Sequence, residues 1–194
     1  MKKLIVLTAI FAAACASTSS STPEQRIAAV EHRLDTASQW SMAFNTSTTG
    51  AVTSRFTGTM NVLAGNFASI DADGFLRGQP VHIRWDASGS PAQVSHALSI
   101  GVVRLGITHN LATLAAGGKA IDNADGGIDQ ALKMTNLAWD AKEKKFTYHI
   151  VVDGVDSGAG ELRVGHGDMP RSRILNVKFP NGSSMHVEER YEWR

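Results

Sequence analysis

The chain has 194 residues, 43% of them hydrophobic and 19% charged, with a formal net charge of +1. That length and apolar share allow one domain with a sizeable core. No basic patch and no acidic run stands out, which argues against a nucleic-acid-binding surface or a charged tail.

Met1-Lys2-Lys3 is a short basic start, and Leu4 to Ala14 is an uncharged apolar run. The run is too short to span a bilayer, so residues 1–14 read as a secretory signal. The single cysteine, Cys15, follows Ala12-Ala13-Ala14 directly. This resembles the lipobox of bacterial lipoproteins, in which the cysteine becomes the lipidated first residue, a palmitate-type anchor. The usual leucine three places before the cysteine is replaced by Ala12. Two processing outcomes stay open. One is lipidation of Cys15, which the motif favours. The other is ordinary cleavage after Ala14 or Ala16 with a soluble periplasmic product. One cysteine leaves no intrachain disulfide. Residues 15–22 then form the lipidated cysteine and a Ser/Thr-rich tether, and 23–194 a single domain. Ala16, rather than an aspartate, follows the cysteine, which points to the outer membrane in enterobacteria-like sorting.

Thr22-Pro23-Glu24-Gln25 has the composition of a capping box with proline in the first turn. Ile27, Val30, Leu34, Ala37, Ser41 and Phe44 follow at helical spacing, with Trp40 near the end. They predict an amphipathic helix of about six turns, packed on a sheet. Val52, Phe56, Met60 and Val62 predict a strand with a bulge at Gly58. Phe67 to Ile70 predicts a short second strand and Asp71-Ala72-Asp73-Gly74 a turn. Phe75, Leu76, Val81, Ile83 and Trp85 predict a third strand. Pro80 lacks an amide donor, so an edge or a break belongs there.

Between Val94 and Ala116 the spacing turns helical and is interrupted by Gly101 and Gly106. A polar loop from Lys119 to Asp129 follows. Leu132, Met134, Leu137 and Trp139 resume a strand pattern. The remainder reads as an antiparallel meander. Phe146, Tyr148, Ile150 and Val152 alternate up to Asp153-Gly154, and Leu162 and Val164 continue. The chain breaks at Gly165 to Pro170, then Leu175, Val177 and Phe179 lead to Pro180-Asn181-Gly182. Met185, Val187, Glu189, Tyr191 and Trp193 share one side of the last strand. The order is helix, about three strands, helical insert, about five strands. The fold class is α+β: a curved antiparallel sheet, an unclosed half-barrel, with the N-terminal helix and the insert against its concave face.

Seven histidines invite a metal or catalytic reading. His82, His149 and His186 fall on polar strand registers, and none of the seven forms a metal-ligand motif. His109, inside the apolar insert, is the one candidate catalytic base, although a hydrogen-bonded core histidine fits it better. Asp122, Asp125 and Asp129 supply oxygens for a calcium-like loop without EF-hand spacing. No serine-nucleophile elbow is present. Glu189 sits in register with an apolar set. If buried it needs a partner, for which Arg84 and Arg104 are candidates; the alternative is a solvated strand rim. Phe56, Met60, Val62, Trp85, Tyr148, Tyr191 and Trp193 offer aromatic and adaptable surface for a pocket or a plain core. Leu105 and Leu111 of the insert would face them.

The meander, with Val177-Lys178-Phe179-Pro180-Asn181-Gly182 followed by Val187-Glu188-Glu189-Arg190-Tyr191, looks like the lipoprotein-localisation superfamily of LolA and LolB. The segment Arg104 to Leu111 with Asp125-Gly126-Gly127 also looks like a family of uncharacterised bacterial secreted proteins. The superfamily resemblance implies a half-barrel with a helical lid over an apolar cavity that accepts acyl chains. It maps no catalytic residue and implies no cofactor. The first expectation is therefore a non-enzymatic envelope lipoprotein whose partners are an acyl chain or apolar small molecule and, through its anchor, a membrane. The second is a structural or interaction lipoprotein with a filled core. The third is a hydrolase or metal protein using His109 and the aspartate loop.

Overall fold

A computed structural model describes residues 21–63, 66–86 and 132–193. Helix α1 spans Pro23–Thr36 and nine strands follow: β1 Gln39–Thr49, β2 Ser54–Leu63, β3 Asn66–Leu76, β4 Gln79–Asp86, β5 Leu132–Asp140, β6 Lys145–Val152, β7 Val155–Val164, β8 Pro170–Lys178 and β9 Ser184–Trp193. They form one antiparallel sheet in the order β4-β3-β2-β1-β9-β8-β7-β6-β5. β4 and β5 are its two edges, so the half-barrel is unclosed. The predicted insert, with Leu105, Leu111, His109, Asp122, Asp125 and Asp129, lies outside the described residues. So does Cys15 with the signal segment.

The start of α1 is built as its sequence requires. The Gln25 amide donates to Thr22 Oγ1 at 3.2 Å, and the Thr22 amide donates to Gln25 Oε1 at 3.0 Å. Both orphan donors of a helix start are thereby satisfied. The helix stops at Thr36, about four turns in at 3.6 residues per turn, not six. Trp40, Ser41 and Phe44 belong to β1 instead, where Trp40, Met42, Phe44 and Thr46 turn inward with period two. Trp40 Nε1 donates to the Leu34 carbonyl at 3.0 Å, satisfying an acceptor that the ended helix leaves free.

The first half of the sheet also departs from expectation. Among the described residues up to Asp86 there are four strands rather than three. Asp71 to Gly74 is strand, not turn; the reversal falls at Arg77-Gly78, both at positive φ, in a two-residue hairpin. The bulge lies between Asn61 and Val62, not at Gly58. At Gly58 the neighbouring strand comes so close that a Cβ would stand 2.3 Å from the Asp71 carbonyl oxygen. Pro80 is on an edge strand, as its missing donor demands. The second half follows the predicted meander, with hairpins at Asp153-Gly154 and Asn181-Gly182.

One sheet face is apolar and holds two clusters. Phe146, Tyr148, Ile150, Val152, Leu162, Leu175 and Val187 belong to the C-terminal half, together with Ile27 and Val30 of α1. Met42, Phe44, Phe56, Met60, Val62, Ile70 and Ile83 belong to the other half, with Leu34 of α1 and Tyr191 of β9. The helix thus reaches from one cluster to the other. Arg26 anchors it, with its guanidinium 4.8 Å over the Trp139 ring and 3.3 Å from Asp168. The opposite face is polar and carries ion pairs such as Lys145–Glu161 at 2.9 Å.

Candidate functional site

The feature that breaks the apolar face lies at its centre, on β8 and β9. Strand alternation turns Arg173, Leu175 and Val177 to the same side as Val187, Glu189 and Tyr191. The hairpin register sets Arg173 directly opposite Glu189. Arg173 Nε and Nη2 each donate to a Glu189 carboxylate oxygen at 2.7 Å, a bidentate pair. The side chains are 3% and 1% exposed, so the pair is almost wholly out of water. The Tyr191 hydroxyl donates to Glu189 Oε2 at 2.5 Å.

Glu189 is therefore buried, and its partner is Arg173. Arg84 is instead exposed on the edge strand β4, 4.0 Å from Asp71, and Arg104 lies outside the described residues. The signal for Arg173 was present in the sequence. It has the same parity as Leu175 and Val177, and it and Glu189 each lie eight residues from Asn181 in the hairpin turn.

Burial alone would lower the Arg173 pKa, but the Glu189 charge, aided by Tyr148 and Tyr191, overcomes this and raises it. Tyr191 is held well above the ordinary phenol value, first by burial and then by the adjoining Glu189 charge. Burial also raises Tyr148, and the nearby Arg173 guanidinium opposes that shift. The Tyr148 ring rests over Gly160, where a Cβ would come within 2.2 Å of ring carbons.

The residues predicted for a pocket are partly brought together. Phe56, Met60, Val62 and Tyr191 share one cluster, with the half-buried Trp193 packed against it. Tyr148 belongs to the other cluster. Glu189 and Arg173 stand between them. Trp85 is in β4, opposite Ile70.

The histidines His82, His149 and His186 keep to the polar face. His149 Nδ1 lies 2.8 Å from Asp156, and His186 Nδ1 lies 2.7 Å from Asn176. Asp71, Asp73 and His82 come within 4.8 Å of one another, all exposed. Arg84 beside Asp71 opposes a cation there. Two shallow grooves on the polar face, of about 340 and 370 Å³, meet at Ala159 and Asn176.

No protein-family model matches the chain, and no curated protein matches it. Among solved structures, a LolA superfamily protein from Nitrosomonas europaea aligns with 90% of this chain and 94% of its own. The sequence identity is 9% and the TM-score 0.22. A score that low does not establish a shared fold.

Proposed function

We propose that this is a non-enzymatic cell-envelope protein that binds an acyl chain or another apolar ligand against the inner face of its half-barrel. One observation carries the reading. Apolar side chains line that face across both halves of the sheet, and α1, the α-helix among the described residues, spans only part of its width. Nine strands have eight spacings of roughly 4.8 Å and so span about 38 Å, whereas fourteen helical residues span about 21 Å. Apolar surface of that width is stabilised by whatever covers it, at about 25 cal/mol per Å². The ligand enters as that cover. In this reading residues 1–14 direct export and Cys15 carries the anchor, with the outer membrane as its destination. No helix among the described residues is long and apolar enough to cross a membrane.

Mass spectrometry of the purified mature protein tests both parts at once. The expected result is an acyl mass on Cys15 and a co-purified or titratable apolar ligand. A protein that is empty and binds no fatty-acyl probe would sink the ligand reading. It would favour a filled-core interaction lipoprotein, for which the near-complete burial of Phe56, Met60 and Phe146 speaks.

A further inference from the structure

The two rims of the sheet differ in charge. At one rim the strands are joined through residues 50–53, 77–78, 153–154 and 179–183, whose charged members are Arg77 and Asp153. The other rim carries the turns 141–144 and 165–169, and α1 lies along it. Arg26 of the helix reaches Asp168, and the Leu34 carbonyl takes the Trp40 nitrogen near the start of β1.

Part of the charge at this second rim is matched. Lys145 lies 2.9 Å from Glu161, and Arg163 lies 2.9 Å from Glu161 and 3.8 Å from Glu143. The Asp140 carboxylate accepts from the Lys142 and Glu143 amides. Arg33, Lys142, Lys144 and Arg171 are exposed, and none forms an ion pair among the described residues. Glu24 at the start of α1 and Glu192 near the end of β9 offset them only in part. The cations gather at the turn His166–Asp168. A Cβ on Gly167 would lie 3.6 Å from Arg33 Nη1, and one on Gly165 would lie 3.0 Å from Arg171 Cδ. The Val164 amide donates to the Lys144 carbonyl at 2.9 Å, which brings the 141–144 turn to the same place. Like charges gathered without counter-charges raise the local potential and attract anions.

The path of the chain selects the anion. Arg26 meets Asp168 one helical turn after Thr22, and Thr22 is seven residues on from Cys15. Seven residues reach at most about 25 Å when fully extended. An acyl group on Cys15 therefore keeps this rim near the bilayer. The other rim is a strand length further away, about 33 Å for the ten residues of β9.

We propose that this rim docks on the phosphate groups of anionic lipids, with Arg33, Arg171, Lys142 and Lys144 as its contacts. The inference rests on the anchor at Cys15 and adds the face that the domain turns to the membrane. The mature chain, residues 15–194, carrying Cys15→Ser tests the surface apart from the anchor. It should sediment with vesicles of phosphatidylglycerol and phosphatidylcholine in equal parts more than with phosphatidylcholine alone, and less as salt is raised. Arg33→Gln with Arg171→Gln should weaken that binding about 25-fold, or about fivefold for each cation removed. Arg55→Gln with Lys178→Gln, two exposed cations toward the other rim, removes the same charge and should change binding less than about twofold. Equal binding to the two vesicles, or equal losses from the two pairs of substitutions, overturns the inference. So does a protein that ignores anionic vesicles but gains a higher denaturation midpoint from inorganic phosphate, which would mark a small-anion site. If Cys15 of the unsubstituted protein is acylated and the Cys15→Ser chain ignores anionic vesicles, the docking surface fails and the anchor stands. If Cys15 carries no acyl group and the vesicles still bind, the anchor fails and the surface stands.

Discussion

Replacing Glu189 by Leu should be among the most damaging single changes in the sheet. It leaves the Arg173 guanidinium, 3% exposed, without the carboxylate that now receives two of its bonds at 2.7 Å. Removing one partner of a buried pair costs about 3–5 kcal/mol, because the remaining charge is still desolvated. A whole domain is stable by only about 5–15 kcal/mol. Arg173→Met should cost a similar amount, since Glu189 keeps the Tyr191 hydroxyl but loses its counter-charge. The double variant should not cost the sum. With both charges gone, well-packed apolar side chains can match or exceed the stability of the pair. The Tyr191 hydroxyl would then lack its acceptor, a penalty of about 1–3 kcal/mol, which adding Tyr191→Phe should recover. Urea midpoints for the unsubstituted, single and double variants close a double-mutant cycle. Single losses below about 1 kcal/mol that simply add would refute the claim that the pair is buried and coupled.

The chain has two tyrosines, and both are buried beside the Arg173–Glu189 pair. Their folded pKa values are raised, so their contribution to stability is complete below about pH 10, the unfolded value. It is lost as pH rises through the folded values. Phenolate absorbance should therefore appear only together with loss of the circular-dichroism signal. Phenolate forming near pH 10 in an intact fold would show that the tyrosines are solvated. Gly160→Ala should cost about 1–3 kcal/mol by overpacking against the Tyr148 ring, and Tyr148→Leu should relieve part of that loss. An unchanged denaturation midpoint in Gly160→Ala would mean that the ring does not lie where the structure puts it.

The C-terminal meander was legible because period-two burial and hairpin chemistry agree there. Met185, Val187, Glu189 and Tyr191 are all buried, and Asp153-Gly154 turns as its residues require. The N-terminal half was less legible because two signals conflict. Leu34, Ala37, Ser41 and Phe44 keep a helical spacing, yet Trp40, Met42, Phe44 and Thr46 also fit a strand, and packing onto β2 and β9 decides for the strand. Asp71-Ala72-Asp73-Gly74 has turn composition, but its small members face inward. Gly74 leaves room for Phe56, whose ring a Cβ at that position would meet. Apolar parity alone does not reveal the partner of Glu189, because Arg173 is a charged residue set among apolar ones of the same parity.

The joint between the two halves of the sheet is the one register that no turn can fix. β1 and β9 are distant in sequence, as the Thr49–Ser184 hydroxyl contact across 135 positions shows. A slip by one residue would turn every side chain to the wrong face. A slip by two would preserve the faces and must be opposed by side-chain fit. Trp40 provides that fit. It stands opposite Trp193, with ring centroids 5.9 Å apart, and 5.8 Å from Tyr191. Its own nitrogen is tied to the end of α1, and the Trp193 nitrogen donates to the Pro170 carbonyl at the start of β8. A two-residue slip would move Trp193 away from its place opposite Trp40 while α1 holds Trp40 where it is. The same register sets Phe44 beside Glu189, so the apolar cluster of the first half abuts the charged pair of the second. The aromatic joint at the end of the strands thus fixes where the polar centre falls on the inner face.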